Sequence, residues 1–181
     1  MGKVEQLIEQ QGFDFTGTCS ARELVVREEV RDACAVDKCH IYNTNWACPP
    51  ACGDIYDFER QMHEYDHCTV VQTVGYMEDE FDAETLLEAG ETQRNRFYAL
   101  IEALDEAGLS KDVMTLSAGH CRICKSCTYP DAPCRFPDKR LVSMEAAGLY
   151  VAETCTKAGI PYNHGKNTIA FSSCVLYNDG Q

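Results

Sequence analysis

Four cysteines fall within one short stretch, Cys121-Arg-Ile-Cys124-Lys-Ser-Cys127-Thr-Tyr-Pro-Asp-Ala-Pro-Cys134, spaced C-x2-C-x2-C-x6-C. Proline at 130 and 133 rules out a regular helix or strand interior. The segment must be a loop, and thiols at that density need something to organise them. Two contexts supply it, a secreted disulfide scaffold or an intracellular metal site. The opening residues, Met-Gly-Lys-Val-Glu-Gln-Leu-Ile-Glu-Gln, lack the apolar run of a secretion signal. No stretch of the sequence reads as a membrane span. The expected compartment is the cytoplasm, with reduced thiols free to bind metal.

Thiolate suits zinc, copper(I) and iron–sulfur clusters. Structural zinc usually takes two separated C-x2-C pairs. Here three cysteines repeat at one interval and a fourth follows at a distance, which fits three corners and then the fourth of a [4Fe-4S] cluster. Bacterial ferredoxin runs open in the same way but keep three residues before the last cysteine and a proline after it; Cys134 is instead followed by Arg135. A second set lies upstream, Cys34-x4-Cys39-x8-Cys48-Pro-Pro-Ala-Cys52, with Tyr42 and Trp46 interleaved. Proline stiffens the turn after Cys48, and the aromatic rings suit water exclusion around a cluster. Cys52 is the most economical fourth upstream ligand, with His40 or a distant cysteine as substitutes. The metal ligands read from the sequence are therefore Cys34, Cys39, Cys48, Cys52, Cys121, Cys124, Cys127 and Cys134, holding one or two [4Fe-4S] clusters, with zinc as the alternative.

The remaining cysteines, Cys19, Cys68, Cys155 and Cys174, fall in or beside apolar segments and read as small buried hydrophobes. His120 directly precedes Cys121 and reads as an outer hydrogen-bond donor, a proton carrier or an exposed side chain. Arg122, Lys125, Arg135, Lys139 and Arg140 make the second loop basic in a chain whose formal charge is -13. That acidity disfavours nucleic acid and anionic membranes as partners, whereas the basic loop suits an acidic redox protein.

The 181 residues suit a single α/β domain with metal-binding loops at 34–53 and 120–138. Apolar periodicity predicts helices over 1–12, 21–33, 82–107 and 142–158, and another that Asp54 caps. Strands are expected over 13–19, 68–76, 112–116 and 169–177. The alternation predicts a small central mixed sheet, partly parallel, with flanking helices.

Two strings carry a resemblance. Val30 to Pro50, VR-x2-C-x4-C-x2-Y-x3-W-x-CPP, and Cys121 to Val151, CRICKSC-TYPDAPCRFPDKRLVSMEAAGLYV, are similar to the signatures of a prokaryotic family of predicted metal-binding proteins, a domain of unknown function. The resemblance implies metal or iron–sulfur binding and an anaerobic source. It carries over to Cys34, Cys39, Cys48, Cys121, Cys124, Cys127 and Cys134. Three functions follow as expectations. The first is an iron–sulfur protein passing electrons to a partner enzyme, the second a zinc-dependent adaptor, and the third a metalloenzyme or cluster carrier with an open iron position.

Overall fold

The computed structural model describes residues 2–181, so residue 1 of the expected first helix lies outside it. Helix α1 (Lys3–Glu9) buries Val4, Leu7 and Ile8 on one face. Strand β1 (Phe15–Ser20) follows. The helix expected over 21–33 splits in two. Leu24 and Val26 are buried with Val25 exposed between them, and Val26 bridges Leu149. This two-residue alternation, with β-branched Val25 and Val26, holds the backbone extended, leaving a 3-10 turn at Ala21–Glu23 on one side and α2 (Glu28–Ala35) on the other. Asp54 caps α3 (Ile55–Met62) by accepting from the Tyr56 N–H at 2.8 Å. Next come β2 (His67–Tyr76), α4 (Ala83–Glu106) capped by Asp82, and β3 (Met114–Leu116).

The helix expected over 142–158 shortens to α5 (Val151–Lys157). Gly148 has φ +91°, and a Cβ there would sit 2.9 Å from Ile55. A continuous helix tolerates neither that backbone angle nor the close packing. Strand β4 (Thr168–Tyr177) completes the sheet.

The α/β reading holds, with a sheet order of β1-β2-β4-β3, but every strand pair is antiparallel rather than partly parallel. β2 and β3 do run the same way, as a strand–helix–strand unit predicts. β4 inserts between them and is antiparallel to both, pairing His67–Tyr76 against Tyr177–Thr168 and Met114–Leu116 against Leu176–Cys174.

One sheet face packs Val71, Val175 and Tyr177 against α1 and α4. The other packs Cys68, Val70, Cys174 and Leu176 beneath α3, α5 and the turns around Met144 and Leu149. Cys19, Cys68, Cys155 and Cys174 all belong to this second core, as expected of buried thiols. Among the described residues no helix is long and apolar enough to cross a membrane. The cysteine loops emerge over the second core, one from the end of α2 and the other just beyond β3.

Candidate metal centre

Cys34 lies in the last turn of α2, so the first loop proper starts beyond Ala35. Asp37, His40 and Asn43 then adopt left-handed backbone angles (φ 55–57°) that curl the chain. Asp and Asn tolerate that region better than most side chains. The Asp37 carboxylate accepts from the Tyr42 N–H at 2.9 Å, and Asn45 Oδ1 accepts from the Ala47 N–H at 2.8 Å. The Cys52 N–H donates to the Cys48 carbonyl at 3.0 Å, so one tight turn carries both cysteines.

Cys34, Cys39 and Cys48 open onto a cavity of about 790 Å³, walled also by Lys38, Tyr42, His120, Glu145 and Tyr150. Cys52 does not face it. It is buried in the core, with its Sγ directed at the Ala146 carbonyl 3.8 Å away. The four thiols are nonetheless neighbours. Burial, followed by the proximity of Cys52, Cys39 and Cys34, pushes the Cys48 thiol up to about 12. Glu145 reaches into the cavity from the turn above α5, and enclosure by the walls raises its carboxyl. Burial, then the cations Arg122 and Arg94, lower His120, and Arg122 Nε donates to its Nε2 at 3.2 Å.

Cys121, Cys124, Cys127 and Cys134 all line a second, small cavity with Ile123 and Phe136. This loop is braced internally. The Thr128 hydroxyl donates to the Pro133 carbonyl at 2.8 Å, and Arg135 Nη1 to the Ser126 carbonyl at 2.8 Å. Arg122, Lys125, Arg135 and Lys139 are exposed around it.

The two loops are stapled to one another. Asn45 Nδ2 donates to the Cys121 carbonyl at 3.3 Å, Trp46 Nε1 to the Ala132 carbonyl at 2.9 Å, and Arg140 Nη1 to the Trp46 carbonyl at 3.2 Å. The Tyr129 hydroxyl meets Asn43 Oδ1 at 2.5 Å. Asn45 and Trp46 also line the downstream cavity, while Cys48 lines the upstream one. The segment from Asn45 to Cys48 is therefore a shared wall, and the two sets of thiols are adjacent although far apart in sequence.

All twelve cysteines are free thiols. Among the described residues no three His, Cys, Asp or Glu side chains converge closely enough to hold a single metal ion. The loop thiols surround spaces instead. One orphaned group tests what those spaces accept. Nε and Nη2 of Arg31 are buried without a hydrogen-bond partner. This guanidinium lies beside Cys34 and Cys52, where it works against the burial that raises both thiols. A buried cation with unmade bonds is costly unless an anion joins it, and a cluster held by thiolates is anionic. The donor set and its charge environment fit such a group.

Sequence reasoning missed Arg31 and Glu145. Arg31 carries a readable signal, since it precedes Cys34 by three residues and so shares its helix face. Glu145 carries none, because its position follows from the irregular turn that replaces the expected helix.

A family described as predicted metal-binding protein (DUF2284) matches residues 18–177. No curated protein and no solved structure matches the chain.

Proposed function

The chain belongs to the family of predicted metal-binding proteins that matches its residues 18–177, and from that premise we propose that it is an iron–sulfur protein with a [4Fe-4S] centre at each cysteine loop, serving one-electron transfer to a redox partner. The observation that carries this reading is the shared wall. Three upstream thiols around one cavity, with Cys52 behind them, and four downstream thiols around another meet at the contact between Asn45 and Cys121. Two isolated structural metals have no need of that adjacency. The spacing of the thiols around cavities, rather than on a point, also supports a polynuclear group over a lone ion.

When bound, such a cluster takes up and releases single electrons. The residues of this chain supply the rest. Cys34, Cys39, Cys48 and Cys52 hold the upstream group, and Cys121, Cys124, Cys127 and Cys134 the downstream one. Trp46, Tyr129 and Phe136 cover the join and limit water around it. Arg122, Lys125, Arg135 and Lys139 present positive charge at the downstream rim. In a chain of net charge -13 this local reversal orients an acidic protein partner toward that loop. A cytoplasmic setting keeps the thiols reduced.

A second reading is favoured by the cavity of about 790 Å³ over the upstream thiols. Its size falls in the range of small-molecule sites, and Glu145 and His120 both face it. If Cys52 stays in the core, the fourth iron position opens to that cavity and the protein is an enzyme acting on a small molecule there.

Purification without oxygen decides between these. The electron-transfer reading expects equal iron and sulfide, visible absorption bleached by dithionite, and two interacting signals in EPR of the reduced form. Cys124→Ser and Cys48→Ser should each remove one centre and spare the other. Zinc without sulfide overturns the iron–sulfur reading. Full upstream metal in Cys52→Ala favours the enzyme.

A further inference from the structure

The two orphaned donors of Arg31 point beyond a structural role. Nη1 of Arg31 donates to the Gly53 carbonyl at 3.0 Å, which ties α2 to the residue after Cys52. That bond alone would account for a tether. It does not account for Nε and Nη2, which are buried and reach no acceptor in the protein. Nor does any carboxylate pair with this guanidinium among the described residues, although Asp and Glu outnumber Lys and Arg by 29 to 16. In so acidic a chain an unpaired, partly buried arginine is a position where an anion is awaited. The neighbouring groups are the thiols of Cys34, one turn further along α2, and of Cys52, beside the Gly53 carbonyl that Arg31 already holds. Arginine presents its donors as a rigid fork, so two of them can meet two sulfur atoms while the third stays on Gly53.

We propose that Arg31 is the positioning residue of the upstream centre. Its Nε–H and Nη2–H donate to sulfur atoms on the Cys34–Cys52 side, hold Cys52 in the ligand set, and stabilise the centre in its reduced, more negative state. The inference rests on the iron–sulfur reading above. The downstream loop has no equivalent, because its arginines and lysines are largely exposed and water competes for them. The two centres therefore differ in potential, the upstream one being the easier to reduce for its ligand set.

Arg31→Gln and Arg31→Lys test this in the oxygen-free holoprotein and in the same protein stripped of metal. Hydrogen bonding to sulfur predicts three results. In an EPR-monitored redox titration, Arg31→Gln moves one midpoint to a more negative value by about tenfold in the reduction equilibrium, about 59 mV for one electron, and leaves the other midpoint in place. Arg31→Lys keeps the charge without the fork and recovers part of that shift. Unfolding by urea shows a larger loss of stability in the holoprotein than in the stripped protein, because the donors are satisfied only when the centre is present. A pure tether to Gly53 gives the opposite pattern, with unchanged midpoints and equal losses in both forms, and overturns the proposal. A Gln variant whose stripped form fails to fold also overturns it. Absence of iron and sulfide from the unaltered protein instead fails the iron–sulfur reading itself, before any variant is made.

Discussion

Trp46 stands edge-on to Tyr129, with ring centroids 4.9 Å apart and planes at 88°. The two rings belong to different cysteine loops, and each also makes a polar contact across the join, Trp46 to Ala132 and Tyr129 to Asn43. An aromatic pair of this geometry contributes about 0.5–1.5 kcal/mol beyond its buried area. Replacing Trp46 by Ala loses that contact and one hydrogen bond, about 1–3 kcal/mol in all. Thermal unfolding of Trp46→Ala, Tyr129→Phe and the double variant should show coupled rather than additive losses, and metal retained after gel filtration should fall in Trp46→Ala.

Alkaline pH should weaken the metal-free protein. A thiol whose pKa is higher in the folded state favours folding while it is protonated, and that contribution is lost as pH rises past its unfolded value. Burial and neighbouring thiols take Cys48 from 9.0 to about 12. Cys34 and Cys52 are raised in the same direction, by burial first. Urea midpoints of the stripped protein should therefore be flat below about pH 8 and decline from pH 9 toward 12. The holoprotein should not follow that curve, because ligated sulfur carries no proton, and metal uptake at neutral pH should release protons into a weakly buffered solution.

Alkylation should separate nine of the twelve cysteines into two groups. Cys68, Cys155 and Cys174 are fully buried and Cys19 nearly so. Cys39 is exposed, and the downstream four are half-buried at the surface. Iodoacetamide added to the folded, metal-free protein should label Cys39, Cys121, Cys124, Cys127 and Cys134 within the time that the four core thiols need denaturant to react. Peptide mass spectrometry reads the pattern directly, and early labelling of Cys68 or Cys174 would contradict the packing.

Gly17→Ala probes the seam between β1 and the end of α5. A Cβ at residue 17 would lie 2.2 Å from the Ala158 carbonyl oxygen and 2.7 Å from Ile160. Backbone cannot retreat as a flexible side chain can, so the expected loss is about 1–3 kcal/mol. For a chain of this size that lowers the melting temperature by several degrees. Gly12→Ala, where nothing lies within 4 Å but φ is +68°, gives the comparison of backbone strain without a clash.

Most of the regular elements were legible because their signals are local. Asp54 caps a helix where its position predicts, and the β-branched content of residues 68–76 yields a strand with nearly the expected limits. The misreadings came from tertiary effects. Val25 and Val26 follow the packing against Leu149 rather than a helical period. Met144 to Leu149 carry helical periodicity, yet Gly148 turns the chain and packs closely against Val26 and Ile55. The direction of the sheet depends on where β4 inserts, which no local pattern encodes. At the site, the motifs marked which thiols to examine. They did not foretell that Asn45 would abut Cys121, or that Cys52 would turn inward while its three companions face a cavity.

The placement of β4 between β2 and β3 has a consequence for biosynthesis. Both thiol-bearing loops are synthesised before residues 168–177, and until those are made the nascent polypeptide has no central strand on which to build the scaffold that brings the loops together. Metal offered at that stage would meet two unrelated tethers. Loading therefore follows the closing of the sheet, because until β4 is in place the eight loop thiols lack the scaffold that gathers them.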